Sequence, residues 1–529
     1  MKTSARWTKI FLTLIIIFQS ILYICAGIGK SYIHMDEAYS LALTHYDGFE
    51  ITENPDFYNT WHTSEYFQKY LAIQEDELTD FTPIYENQRN DVHPPLFYFF
   101  LSLAQSFVVG RFSKWPGIIL NVIIHIGITL LFYDLWRQVM RRGKAPELKA
   151  LILTACMSLT IASVSSAVYI RMYALLTLVI LWTLCLHLRL AKTSSWRPLT
   201  LLAVALATLA GILTQYFYAF FLVPLAIVFL IHQVRQRNWQ GVRAYVGVML
   251  AAVVLSLIVW PYSLQHTLFS YRGQGVMTSF SNPITLLQDF WAYCEIINYN
   301  VFHRLLVPIL LMIVSVTVYI FWKRRQKFSL PFGLQLMLWP TLIYFVITAI
   351  ASPFIELRYV MPVCGLIFGL VFYGLYQLLG MVWSEKTKNI IAALSLAVVW
   401  LAAPIQLALG QMRIELLYRD RQAVMSETAA HPQAPILYFI SSKNNRFLDN
   451  ILPFTIAEQS YLALDFDYTN QAGIRKILQN QDLTHGLFVW VSDQQDHPET
   501  LAAVQLATGL DQVQFVQIIN TCTVYYLSK

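Results

Sequence analysis

Two adjacent acidic residues, Asp36 and Glu37, follow directly after the first long apolar segment of the sequence. Carboxylates at the mouth of a membrane helix are costly unless they are solvated, paired or functional. Burial and a low dielectric can also tune such a group for proton abstraction. The pair is therefore the first candidate for general-base chemistry.

The loop that begins with this pair is acidic and ends at a histidine. Between Lys30 and His93 it holds thirteen Asp or Glu residues, three Lys or Arg residues and four His residues, and we expect most of the acids to form a solvated face. Pro94 and Pro95 follow His93, and a proline suits the first turn of a helix while the residue before it is held extended. The sequence predicts that His93 is fixed at the start of a helix, which is compatible with a site or with a stiff helix start.

Three arginines are predicted at the same level of the membrane as the acid pair. Arg171 lies in a very short turn between two apolar runs, Arg358 begins another run, and Arg111 begins the second run. They either extend to lipid phosphates, as interfacial arginines do, or recognise the phosphate of a bound lipid with the guanidinium fork. Carboxylates and arginines together suit a reaction that expels a lipid phosphate.

The amino-acid composition indicates which kind of secondary structure holds the acid pair, the histidine and the arginines in place. Of the 529 residues, 57% are hydrophobic and 13% charged, against about 25% charged in soluble domains. The net charge of +6 does not require a nucleic-acid partner to explain it. The fold class is an all-α polytopic membrane protein with about eleven transmembrane helices of about 20 residues each. The predicted spans are 9–28, 115–136, 148–167, 173–190, 198–215, 217–233, 243–262, 305–322, 332–351, 359–380 and 389–409.

One shorter apolar segment, Pro95–Val109, determines the topology. If it lies in the interface instead of spanning, the basic loop residues collect on one side, which the positive-inside rule makes cytoplasmic. These loops are 2–9, 137–144, 192–197, 235–237, 323–327 and 386–388. The N-terminus is then cytoplasmic and the C-terminus extracytoplasmic. The first apolar run is longer than a signal-peptide core, so we expect a retained helix.

The predicted topology leaves three large external regions, at 29–114, 263–304 and 410–529. The last region alternates β-like runs with helical patterns, which predicts a small extracytoplasmic α/β domain. The strands are predicted at 436–440, 487–491, 513–519 and 523–527, and the helices at 472–478 and 499–507. We divide the chain into a transmembrane domain, 1–409, with its catalytic loop at 29–114, and an α/β domain, 410–529, for acceptor docking or partner contact.

The order of these features resembles a known family. Asp36-Glu37 opens the long acidic loop, Pro-Pro-Leu-Phe-Tyr follows at 94–98, Arg-Met-Tyr-Ala at 171–174 and Arg-Tyr-x-x-Pro at 358–362. Over roughly residues 10–410 the chain is similar to the GT-C membrane glycosyltransferases, in particular the group of protein O-mannosyltransferases and aminoarabinose lipid A transferases (glycosyltransferase family 39-like).

This resemblance implies a reaction and a base. Such enzymes transfer a sugar from a polyprenyl-phosphate donor on the outer face of the membrane, with inversion, to a hydroxyl of a glycan, lipid or protein. Asp36 would take the proton of the acceptor hydroxyl, and Glu37 would support or orient it. No metal or other cofactor is required, although a divalent cation near these two carboxylates is an alternative. The six cysteines show no metal-ligand spacing.

The resemblance also implies the substrate-binding residues. Arg171 and Arg358, with Arg111, would hold the polyprenyl phosphate, and His93 would line the pocket. Tyr173 and Tyr359 would contact the sugar or the phosphate, or else belong to an interfacial aromatic belt. Tyr216 is carried over from a turn where some relatives have His-Tyr and this chain has Gln-Tyr.

One departure from the family and two other classes of function stay open. Aminoarabinose transferases have an acidic residue near the end of the third span, whereas residues 164–167 here contain none; the donor sugar and the acceptor are therefore undetermined. A polytopic transporter or lipid flippase is the main alternative, although the sequence shows no internal repeat and its acids collect in one external loop. A scaffold that displays the α/β tail is the third.

Overall fold

The computed structural model describes residues 2–529 except 47, 50, 52–53, 142–143, 193–195, 270–282, 325–329, 494–495 and 521. Within these residues the helices, in chain order, are α1 (Lys2–Ile28), α2 (Met35–Ala42), α3 (Ser64–Leu71), α4 (Thr82–Asn90), α5 (Leu96–Gln105), α6 (Trp115–Val139), α7 (Pro146–Ser158), α8 (Ile161–Val168), α9 (Tyr173–Leu190), α10 (Pro198–Thr214), α11 (Tyr218–Arg235), α12 (Trp239–Val259), α13 (Ser263–Leu268), α14 (Pro283–Asn300), α15 (Leu306–Tyr319), α16 (Phe332–Ala351), α17 (Leu357–Val382), α18 (Glu385–Ala408), α19 (Gln422–Ala430), α20 (Gln471–Leu478) and α21 (His497–Thr508).

The chain is a multi-pass membrane protein. Among the described residues, eight helices are long and apolar enough to cross a bilayer, and α7 with α8 makes a ninth if the bent pair is one span. The shorter apolar helices α10 and α15 coincide with two more predicted spans. Helix α5 has 10 residues and a length of about 15 Å, too short to cross a hydrocarbon core of about 30 Å.

The predicted span 148–167 is not one straight helix. Helices α7 and α8 meet at a bend of 61°. Thr160 begins the second helix, because its side chain accepts a hydrogen bond from the backbone N–H of Ser163 at 3.2 Å. This N-cap gives an acceptor to one of the backbone N–H groups that a helix start leaves without a partner. The local sequence therefore favours a break between the two helices.

Basic residues from several predicted cytoplasmic loops lie at one end of the helical bundle. A single cavity at this end is lined by Arg141, Lys144, Lys192 and Lys388. This grouping is expected because successive spans cross the membrane in opposite directions. Arg142, Arg325 and Lys327, which the charge pattern also includes, lie outside the described residues. That this end faces the cytoplasm stays a prediction.

Close helix packing in the bundle depends on small residues. Trp136 of α6 is fully buried, and a Cβ placed on Gly369 of α17 would lie 2.1 Å from its indole ring. Any larger residue at 369 would have to displace this indole. Packing of this kind is typical of membrane helices, where small residues let neighbours approach.

In the part of the chain that the structure describes, a small α/β domain contains a six-stranded sheet in the order β1-β3-β2-β4-β6-β5. Its strands are β1 (Trp61–Thr63), β2 (Ile436–Ile440), β3 (Gln459–Leu464), β4 (Leu487–Ser492), β5 (Gln512–Ile519) and β6 (Cys522–Ser528). The strands β2, β3 and β4 are parallel, whereas β1, β5 and β6 pair antiparallel with their neighbours. The four strands and two helices predicted in the tail are confirmed, and β1 and β3 are additional.

The chain forms two compact units. The first consists of residues 1–25, 88–97 and 118–414, and the second of residues 26–87, 98–117 and 415–529. The second unit therefore combines most of the predicted external loop with the tail, because β1 pairs with β3 through Trp61 and Tyr461. The sequence offers no sign of this pairing, because three residues are too few to show a strand period.

Candidate active site

The acid pair lies in the second unit, in the first turn of α2. His34 is the N-cap residue, and its Nδ1 accepts a hydrogen bond from the backbone N–H of Asp36 at 3.1 Å. The Glu37 carboxylate in turn accepts the backbone N–H of His34 at 2.9 Å. These reciprocal bonds form a capping box, which satisfies two donors that a helix start leaves open.

Glu37 is also held by a lysine. The Nζ atom of Lys30 lies 2.7 and 2.8 Å from its two carboxylate oxygens, and both side chains are completely buried. Burial lowers the pKa of Lys30, and the charge of Glu37 opposes that shift. Glu37 therefore fixes the start of α2 and is not accessible to a substrate.

Asp36 differs from its neighbour in exposure. Its side chain is 18% exposed, with one carboxylate oxygen 3.6 Å from Nδ1 of His34. Because that nitrogen accepts the backbone N–H of Asp36, it carries no proton, and the contact is not an ion pair in this tautomer. The sequence motif thus separates into a buried structural acid and a partly accessible one, which is the arrangement a general base needs.

Residues of the tail support the start of α2. The backbone N–H of Met35 donates to the Asp449 carboxylate at 3.3 Å, and Arg446 lies 2.6 Å from the other oxygen of that carboxylate. Arg421 donates to the Asp449 carbonyl at 2.8 Å and lies over the ring of Tyr418. The C-terminal region therefore contributes polar contacts to the helix that carries the acid pair, and sequence analysis did not find them.

Arg171 lies in the first unit, in the turn between α8 and α9, and is 4% exposed. Its Nη2 lies 3.4 Å from Nε2 of His93, and Nδ1 of that histidine is 2.8 Å from the Asp91 carboxylate. Burial opposes ionisation of Asp91, but His93 and then Arg171 outweigh it and hold the pKa of the carboxyl below its usual range. The acid keeps the proton on Nδ1, so Nε2 faces the guanidinium as an acceptor.

Arg358 begins α17 and is 6% exposed. Its guanidinium donates to the hydroxyl groups of Tyr169 at 3.0 Å and Tyr359 at 3.4 Å, and its Nε lies 3.0 Å from the Glu356 carboxylate. Tyr173 packs against both tyrosine rings, stacked on Tyr169 and edge-on to Tyr359. The structure thus brings three predicted residues, Arg358, Tyr173 and Tyr359, into one cluster.

The burial of these two arginines bears on the alternative of lipid snorkelling. A side chain that extends to the headgroups exposes its charged end, whereas Arg171 and Arg358 are nearly enclosed by protein. Arg111 fits the alternative better, since it is exposed, lies in the second unit and precedes the start of α6 at Trp115.

Tyr216 belongs to a separate network of the first unit. Its hydroxyl accepts a hydrogen bond from the indole of Trp260 at 3.1 Å and lies 2.9 Å from Nδ1 of His266. Nε2 of His266 donates to the backbone carbonyl of Arg89 at 3.0 Å, so Nδ1 is the acceptor and the tyrosine hydroxyl is its donor. Burial raises the pKa of Tyr216 to about 12, which keeps the hydroxyl protonated.

One known protein family and several solved structures are similar to this chain. The family of dolichyl-phosphate-mannose-protein mannosyltransferases matches residues 92–260, the segment that includes His93, Arg171 and Tyr216. No curated protein matches this chain significantly. ArnT from Cupriavidus metallidurans, in a crystal structure with undecaprenyl phosphate, is 13% identical with a TM-score of 0.50, over 98% of each chain.

The likeness to ArnT extends over nearly the whole of both proteins. The chain has the GT-C fold. The oligosaccharyltransferase from Archaeoglobus fulgidus is 10% identical over 94% of this chain and 70% of its own, with a TM-score of 0.49. Fold and family match together support a membrane glycosyltransferase with this fold.

Several polar residues of these clusters were missed as candidates by the sequence analysis. They are Lys30, Asp91, Tyr169, Glu356 and His266. Asp91, Tyr169 and Glu356 could have been found, because each stands two residues from a candidate. Lys30 and His266 could not, since nothing in their local sequence indicates which group they contact.

Proposed function

We propose that the protein transfers a sugar from a polyprenyl-phosphate donor to an acceptor hydroxyl on the outer face of the membrane, with inversion at the anomeric carbon. The observation that carries the proposal is the pair of enclosed arginines, Arg171 and Arg358, each held at a helix start by neighbouring polar groups. A low-dielectric surrounding makes such cations strong partners for a phosphate. The ArnT structure of similar fold holds undecaprenyl phosphate, which supports a donor of this class.

The proposed chemistry is a single displacement. Asp36 takes the proton of the acceptor hydroxyl, and the oxygen attacks the anomeric carbon from the face opposite the phosphate. The bond between that carbon and the phosphate oxygen breaks, and its electron pair leaves with polyprenyl phosphate. Arg171 and Arg358 stabilise the negative charge that develops on the leaving phosphate.

Each supporting residue has a distinct part in this proposal. Glu37 positions the backbone of Asp36 through the capping box, and Lys30 holds the Glu37 carboxylate in place through the buried ion pair. His93 lies beside the guanidinium of Arg171, the Tyr359 ring packs against that of Arg358, and Tyr173 packs edge-on to Tyr359. Tyr216 is proposed to contact the substrate from its own network with Trp260 and His266. Arg111 is proposed to contact it from an exposed position that precedes α6.

The acid pair does not suit a divalent cation held by both carboxylates. The two oxygens of Glu37 are engaged by Lys30 and by the backbone of His34, and of the two acids Asp36 has the partly exposed side chain. We therefore propose a reaction in which arginines supply the positive charge and no cation is required.

The decisive experiment is an assay of sugar transfer by the purified full-length protein in nanodiscs. The donors are radiolabelled polyprenyl-phosphate sugars, and the acceptors are membrane and cell-wall extracts. The Asp36→Asn variant should lose transfer by about a hundredfold or more while it still binds the donor. Asp56→Asn is the matched control, since Asp56 is exposed in the same loop.

The assay also separates this function from transport. Full activity of Asp36→Asn would rule out its part as the base. Absence of transfer and of donor hydrolysis with every donor, together with movement of a polyprenyl phosphate across the bilayer by the same protein, would replace the proposal with a flippase.

A further inference from the structure

A large cavity lies at the end of the first unit opposite Arg171 and Arg358. Its volume is about 880 Å³, and its lining comes from the C-terminal ends of α6, α9, α11 and α17 and the N-terminal ends of α7, α16 and α18. Helix α9 runs from the turn of Arg171 to this cavity at Ala191, over 18 residues and therefore about 27 Å. The cavity is thus distinct from the surroundings of Arg171.

The lining of this cavity is strongly basic. Its described charged residues are Arg141, Lys144, Lys149, Lys192, Lys388 and Glu385. Glu385 pairs with Lys388 at 2.6 Å. Among the described residues, no carboxylate lies within 4.0 Å of the other four basic groups. Low-dielectric walls around one sign of charge focus the potential inside a cleft, so the interior is positive.

Two of the lysines are brought together on one tyrosine. The Nζ atoms of Lys149 and Lys388 lie 4.7 and 4.6 Å from the ring centroid of Tyr376, and Lys149 also donates to its hydroxyl at 2.6 Å. Burial and the neighbouring Arg141 lower the pKa of Lys192, against the opposing effect of Asp134. Like charges held this close in a partly buried cleft are stabilised by a bound anion.

We propose that this cavity binds a phosphate-bearing anion through Arg141, Lys144, Lys149 and Lys192. A volume of about 880 Å³ is within the usual range for small-ligand sites. These four basic residues line the cavity, and apolar side chains such as Leu188 and Phe332 complete its wall. A phosphate on a lipid headgroup and a soluble phosphate ester offer the same chemistry to these groups. The inference does not depend on the proposed glycosyl transfer.

The basic residues have a simpler explanation, in which they only orient the helices during insertion. That explanation requires charge at this end but no particular geometry. Arg197 and Arg235 belong to the same predicted set of loops, are exposed and do not line the cavity. They supply a control that changes the charge equally without changing the cavity.

The test is a set of titrations of the purified full-length protein in a neutral detergent, with the heat of binding measured by calorimetry. The probes are dioctanoyl phosphatidylglycerol, dioctanoylglycerol, which lacks the phosphate, and glycerol 3-phosphate. We expect the phosphatidylglycerol, the glycerol phosphate or both to bind the wild type, and dioctanoylglycerol not to bind. Binding of the lipid alone identifies a headgroup site, and equal binding of both identifies a site for phosphate esters in general.

The variants decide whether the cavity is the site. Arg141→Gln with Lys192→Gln should weaken binding by about tenfold or more, and Lys144→Gln with Lys149→Gln should do the same. Arg197→Gln with Arg235→Gln should bind as the wild type does. The thermal unfolding of each protein without ligand checks that it is folded. Binding of neither phosphate probe, unchanged binding by both folded cavity variants, or an equal loss in the control overturns the proposal.

Discussion

The ammonium of Lys30 and the carboxylate of Glu37 form an ion pair that is closed off from solvent, with Nζ 2.7 and 2.8 Å from the two carboxylate oxygens. The same carboxylate caps the helix that carries Asp36. The ion pair therefore acts on the candidate base through the backbone, and Lys30 and Glu37 are positioning residues.

Breaking this pair should destabilise the protein severely. Lys30→Met leaves a buried carboxylate without its cation, and Glu37→Gln leaves a buried ammonium without its anion, so each should cost about 3–5 kcal/mol. The double variant Lys30→Met with Glu37→Gln should recover part of this loss, because it buries no unpaired charge. Thermal unfolding in detergent measures the three variants, and strictly additive losses would contradict the pairing.

Replacement of the arginines should weaken donor binding. Arg358→Gln removes the cation while the tyrosines remain, and we expect the Kd for polyprenyl phosphate to rise about tenfold to a hundredfold, since a hydrogen bond to a charged group contributes about 1.5–3 kcal/mol. Arg171→Gln should behave similarly. Arg413→Gln is the control, because Arg413 is exposed in the same unit. Donor binding by Arg358→Gln that equals the wild type would remove this residue from the phosphate site.

The pair of Asp91 and His93 should make stability depend on acid pH. The pKa of Asp91 is held below its ordinary value of 3.8, so its stabilising contribution is complete above that value and is lost as the pH falls through the folded-state pKa. The difference in Tm between the wild type and Asp91→Asn should be constant between about pH 7 and pH 5 and should shrink below about pH 4. A difference that grows on acidification would mean that the carboxylate is not stabilised by its neighbours.

Removal of divalent cations should leave the reaction intact. Treatment with EDTA should preserve at least half of the transfer activity, because the oxygens of Glu37 are already engaged and arginines supply the charge. Addition of Mg²⁺ or Mn²⁺ to the treated protein is the control. Loss of activity with EDTA and recovery with either ion would show that Asp36 acts with a bound cation.

Much of the architecture follows from local sequence. The apolar runs predict the spans because a helix must hold about 20 apolar residues to cross the bilayer. The length of such a run can be counted directly in the sequence. The strands 436–440 and 487–491 are likewise predicted by continuous β-like runs, and the structure contains both. The chemical types of Asp36, Arg171 and Arg358 also restrict the reaction before any contact is known.

What the sequence alone determined is thus the membrane class, most elements and the candidate side chains. Only the tertiary structure decided which of them meet. It separated Asp36 from the buried Glu37, paired Arg358 with Tyr169 across 189 positions, and joined the short strand 61–63 to a sheet about 400 residues away. These contacts depend on how helices and strands pack, and packing over such separations leaves no periodic pattern in either segment.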